Sequence, residues 1–204
     1  MNTGENLLTR RGVTLVELIL AMMITALLSA GVASMLYAAG YGTSSRREVR
    51  RMAVKSLQLQ KRFEDAIRSA RAVLASGQVA TGYGFVVLWT GDTNADDQVN
   101  LSELQLIELP NGTTTLQSCQ PSPSATDVTY PADANFYSVA QTAKASGNLV
   151  PVTWSNGISD LTVTLDNPTP VMARLVTWRL TLTDQAISEQ LCGAANLRSP
   201  SSPQ

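Results

Sequence analysis

From residue 12 to residue 45 the chain carries one charged side chain, that of Glu17. An apolar run of this length can cross a bilayer as a helix. An ionised carboxylate near mid-membrane costs about 2.5–3.5 kcal/mol on insertion scales, so Glu17 needs a partner. Cleavage after Gly12 supplies one, because the new amino group of Val13 then stands one helical turn from Glu17, on the same face. A secretory signal peptide fits poorly: its cleavage site follows the apolar segment, whereas Gly12 precedes it. A plain membrane anchor accounts for the run but leaves Glu17 unexplained.

The stretch Arg10-Arg11-Gly12-Val13-Thr14-Leu15-Val16-Glu17-Leu18 resembles the class III signal of type IV prepilins and type II secretion pseudopilins. The resemblance implies that a prepilin peptidase cuts on the cytoplasmic side after Gly12 and that the new N-terminus at Val13 is methylated. It also implies that Glu17 helps dock the subunit against its neighbour in a filament. Val13 departs from the family's usual phenylalanine or methionine at that position.

Charge patterning gives a conflicting signal about orientation. Arg46, Arg47, Arg50 and Arg51 follow the apolar run and outnumber Arg10 and Arg11. The positive-inside rule alone places the bulk of the chain in the cytoplasm. The leader motif requires the reverse, with the peptidase site cytoplasmic and the rest extracytoplasmic. The arginine cluster then forms a solvated helix face, or a site meeting lipid headgroups or a neighbouring subunit. A net charge of −1 gives no reason to invoke nucleic acid.

Beyond the anchor, Val49, Met52, Leu59, Phe63, Ala66, Ile67, Ala70, Val73 and Leu74 recur at helical spacing between charged residues. Glu64 and Arg68 form an i,i+4 pair. The pattern predicts one helix from Val13 to Ser76, loosened near Gly40 and Gly42 and stopped by Gly77. Extended segments follow at 85–89, 104–109, 113–116, 152–154, 161–165 and 174–182, with Asn111-Gly112 as a hairpin turn. In the last segment Val176, Trp178, Leu180 and Leu182 alternate toward the core. Residues 118–135, with three prolines, read as an irregular loop, and the tail after Leu197 as disordered.

The expected fold class is α+β, a pilin-like lollipop with a long N-terminal transmembrane helix packed on an antiparallel β-rich head. Its parts are a leader at 1–12, a transmembrane helix at 13–39, a helix continuation at 40–76, an extracytoplasmic head at 77–197 and a tail at 198–204. This order of elements is similar to that of J-type minor pseudopilins and W-type minor pilins. The resemblance implies partners: the prepilin peptidase, other pilin subunits and the inner membrane.

A second motif lies at 91–104. Against the twelve-position EF-hand calcium loop, Asp92 stands first, Asn94 third, Asp96 fifth, Gln98 seventh and Glu103 twelfth, with Val99 at the hydrophobic eighth position. Calcium takes six to eight hard oxygens, and short Asp and Asn side chains at this spacing fold inward to supply them. The loop also resembles the single loops of dockerin modules, with Asn94 and Asn100 at the third and ninth positions. Asp97 replaces the usual glycine at the sixth position, where a left-handed backbone is needed. The alternative is an unmetallated acidic turn in which Asn100 and Glu103 form a capping box. If calcium (Ca2+) binds, its expected role is structural, neutralising Asp92, Asp96 and Glu103.

Cys119 and Cys192 are the only cysteines. In an oxidising compartment they could form one disulfide, with two separate thiols as the alternative. The absence of histidine removes Ser-His-Asp and Cys-His chemistry and most zinc sites. No phosphate-binding glycine loop is present, and Trp89, Trp154 and Trp178 on extended segments read as core. Two readings lead: a minor filament subunit, or a membrane-tethered calcium-dependent binding module. An anchored hydrolase ranks well behind both.

Overall fold

Helix α1 spans Leu15–Ser69 and runs unbroken through Gly40 and Gly42, so the expected loosening there does not occur. The computed structural model describes residues 14–92, 95–184 and 187–197. Gly12, Val13, Arg10, Arg11, Asn94 and the tail from 198 therefore lie outside the described residues. The fold class is α+β: a long N-terminal helix that begins apolar, followed by an antiparallel-rich sheet. Two compact units divide the chain, Met1–Arg51 and Met52–Gln204, and α1 contributes to both.

In the first unit Leu15–Ala38 is long and apolar enough to cross a membrane. The second unit is built on a sheet of eight strands: β1 (Ala72–Ala80), β2 (Tyr83–Trp89), β4 (Leu104–Glu108), β5 (Thr115–Pro121), β7 (Leu149–Asn156), β8 (Ile158–Leu165), β9 (Leu175–Asp184) and β10 (Ile187–Asn196). Their order is β10-β9-β8-β2-β4-β5-β7, with β1 also paired to β2. A small ladder joins β3 (Val99–Asn100) to β6 (Thr129–Tyr130). Neighbours pair antiparallel except β2 and β8, which touch in parallel at Tyr83 and Leu161. Gly84 permits that junction, since a Cβ there would fall 2.4 Å from the Leu161 carbonyl oxygen.

The sheet has a core on each face. Met52, Leu59, Phe63, Ala66 and Ile67 of α1 pack with Val86, Leu88, Ile107, Leu161, Val176, Trp178, Leu180 and Leu182. Phe63 stacks on Trp178 and meets Trp154 edge-on, with ring centroids 5.5 and 5.4 Å apart. On the other face Phe85, Val87, Trp89, Leu104 and Leu106 pack with Phe136, Ala140 and Ala143 of helix α2 (Phe136–Ala145). Burial on both faces explains why β2 reads as an unbroken apolar run rather than an alternating one.

Four expectations need correction. The helix ends at Ser69, and Val73 and Leu74 belong to β1, where Val73 pairs with Leu88 of β2. Nonlocal pairing overrides their helical spacing. Val49 is exposed. The segment 118–135 is not wholly irregular, since it holds the end of β5 and all of β6, and α2 and β10 were not anticipated. The disulfide is not formed: Cys119 is buried in β5 and Cys192 is exposed on β10, both as free thiols. Four strands intervene, so at about 4.8 Å per step the cysteines stand roughly 24 Å apart, far beyond a bridge.

Candidate functional site

The apolar start of α1 places Glu17 in the first turn, where its backbone N–H donates to Thr14 Oγ1 at 3.3 Å. An acidic residue there suits the positive end of the helix dipole. The helix meets its other polar needs internally: Thr25 Oγ1 donates to the Ala21 carbonyl, Ser29 Oγ to Thr25 and Ser34 Oγ to Gly31. Such back-bonding lets hydroxyls sit in an apolar medium without loose donors. Large apolar side chains are exposed around the whole circumference, from Leu15, Val16 and Leu18 to Met35 and Leu36. A helix apolar all round is made for lipid or for neighbouring helices. Among the described residues the Glu17 carboxylate has no hydrogen-bond or ion-pair partner.

The acidic loop is wired differently. Arg71, just past α1, donates to Asp92 Oδ2 and Asp97 Oδ1, each at 2.7 Å, and its guanidinium lies 4.5 Å over the Trp89 ring. Its backbone N–H donates to the Trp89 carbonyl, fixing its place against β2. Asp92 also accepts from the backbone N–H groups of Asp96 and Asp97. Burial pushes the Asp92 carboxyl up, but the hydrogen bonds from Arg71, Asp97 and Asp96 outweigh it and hold the group below its ordinary range. Asp97 adopts φ +55°, the left-handed backbone that its position in a calcium loop calls for.

Among the described residues, Asp96 and Glu103 turn to partners other than Arg71. Asp96 accepts from the Gln98 backbone and from Asn100 Nδ2. Glu103 turns inward, is 1% exposed, and accepts from Trp89 Nε1 at 2.9 Å and from the Asn100 backbone at 3.4 Å. The second of these is the capping arrangement at a 3-10 turn over Leu101–Glu103. Among the described residues no three acidic side chains form a cluster able to hold a metal ion.

One buried group escaped the sequence reading. Glu108 on β4 is 2% exposed and accepts from Lys144 and Gln141 of α2 at 2.6 Å and from Gln117 of β5 at 2.8 Å. The signal was a lone carboxylate in the apolar run 104–109. Burial, with Glu108 nearby, pushes the Cys119 thiol up to about 11, which makes it inert.

No curated protein matches the chain. Residues 8–33 match the prokaryotic N-terminal methylation motif, a span that takes in Gly12, Val13, Glu17 and most of the apolar helix. That match supports the type IV pilin and pseudopilin family, and with it a pilin-like subunit that prepilin peptidase processes and that assembles with other pilin subunits.

Proposed function

We propose that the chain is a minor pseudopilin or pilin subunit, cut between Gly12 and Val13 and assembled into a type II secretion pseudopilus or a type IV pilus. It is held in the inner membrane before assembly, with its head in the periplasm. The observation that carries this reading is Glu17: a charge without a partner among the described residues, at the start of a helix whose apolar surface is exposed on every side. A neighbouring subunit whose methylated amino group meets Glu17 satisfies the charge, and lateral packing of anchors covers the apolar surface. The first test is the N-terminus and intact mass of the protein from its host's membranes. A chain beginning at N-methylated Val13 is expected. One beginning at Met1 would overturn the processing step and leave a plain anchor.

The second reading is a membrane-tethered, calcium-dependent binding module. The left-handed backbone of Asp97 favours it. Binding an ion there requires that Arg71 release Asp92 and Asp97 and that Glu103 leave Trp89. This reading predicts a higher melting temperature of the full chain in millimolar calcium, abolished by Asp92→Ala with Glu103→Ala. No rise would leave the loop closed by Arg71.

A further inference from the structure

The strands at the two ends of the path β10-β9-β8-β2-β4-β5-β7 are finished in opposite ways. Strand β7 carries Pro151, has a bulge at Trp154 where the register with β5 shifts, and offers its Trp154 and Asn156 carbonyls to Arg62 and Lys55 of α1. Proline, bulges and basic side chains are the usual means of keeping an edge strand from recruiting another chain. Strand β10 has none of these. It pairs with β9 over ten consecutive residues without a register shift, contains no proline, lysine or arginine, and has Glu189 as its one charge. Among the described residues no strand lies beyond it.

We propose that β10 is an interface between two copies of this chain, pairing antiparallel with its own counterpart and centred on Cys192. The strand is complementary to itself in this register. Glu189 falls opposite Ala195 of the other copy, so the only like charges avoid each other. Leu191 falls opposite Gly193, beside the Trp178 indole that lies over that glycine, where a Cβ would come within 2.3 Å of the ring. Ile187 falls opposite Leu197. On the other face Gln190 meets Ala194, and Cys192 meets itself. Directly opposed residues in an antiparallel pair have Cα atoms about 4.5–5.5 Å apart. A disulfide accepts about 4.4–6.8 Å, so exposed Cys192 reports the register. The contact is isologous and closes at two copies, unlike the head-to-tail contacts that build a helical filament. It rests on no part of the filament reading.

The test uses the full-length chain in detergent with diamide, which takes two electrons and two protons from a pair of thiols as the Sγ–Sγ bond forms. A disulfide-linked dimer is expected, lost in Cys192→Ser; buried Cys119 should not substitute for it. In the Cys192→Ser background, chains bearing Gln190→Cys mixed with chains bearing Ala194→Cys should cross-link, while neither alone should. Ala194→Lys should return the Cys192→Ser chain to monomer in light scattering. No cross-link in the parent chain would overturn the proposal. So would cross-linking that ignores cysteine position, or dimers indifferent to Ala194→Lys, which would point to association through the anchors.

Discussion

The two halves of α1 are one continuous helix with opposite needs. From Leu15 to Ala38 its large apolar side chains are exposed, and Glu17 has no partner among the described residues. From Met52 onward it shows one apolar stripe, with Met52, Leu59, Phe63 and Ile67 buried, while Glu64 pairs with Arg68. The second half is completed by the chain itself. The first half is left exposed by the described chain. Carboxylates follow the same division: Glu103 and Glu108 are buried with donors supplied internally, whereas Glu17 is exposed and has no side-chain partner among the described residues. An isolated charge therefore has two meanings, and the supply of donors within the fold separates them.

The largest expected effect comes from removing the charge that the fold does not satisfy. Glu17→Ala should leave N-terminal processing intact and head melting unchanged while nearly abolishing incorporation into filaments, read by the subunit's share of sheared filaments against membranes. Normal incorporation would end the docking role. The helix halves can be set against each other next. Phe63→Ala should destabilise the head by about 3–5 kcal/mol, because it empties the space between Trp154 and Trp178. Leu27→Ala, at a position 73% exposed, should leave the same melting curve unmoved. Equal effects would mean that the anchor shares the head's core.

What could be read from residues alone follows this division too. The apolar helix was legible because its signal is local, an uninterrupted apolar run. The alternating core set of β9 was legible for the same reason. The end of α1 was not, because Val73 and Leu74 keep helical spacing and only pairing with β2 makes them a strand. Helix α2 is short, its start marked by little more than Asn135 capping the Ser138 N–H. Strand β10 contains Gly193, Ala194 and Ala195, poor strand formers held by a single neighbouring strand. The acidic loop was seen but not its counter-charge, since Arg71 lies 21 residues from Asp92 in sequence.

Within the head, the satisfied carboxylates should rank by how much charge is left stranded. Lys144→Met leaves Glu108 with its two amide donors but no cation, and should cost about 3 kcal/mol, the low end for breaking a buried pair. Glu103→Leu leaves the Trp89 indole N–H and the Asn100 N–H without that acceptor and should cost about 1–3 kcal/mol. A reversed order would mean that the 3-10 turn, not the α2 contact, is the more cooperative part of that face.

The smallest effect is one of pH. Because its folded carboxyl is held below the ordinary value of about 3.9, Asp92 adds stability above that value and loses it as pH falls through the depressed one. The groups facing it are the Arg71 guanidinium, which stays charged throughout, and Asp97, bound to the same guanidinium. Asp92→Asn should therefore melt below the parent chain at neutral pH and converge with it in acid, and Arg71→Gln should flatten the acid limb in the same way. Near-ultraviolet dichroism follows the loop directly, since Arg71 lies over the Trp89 ring. Parallel acid limbs for parent and variant would show that Arg71 does not hold this loop.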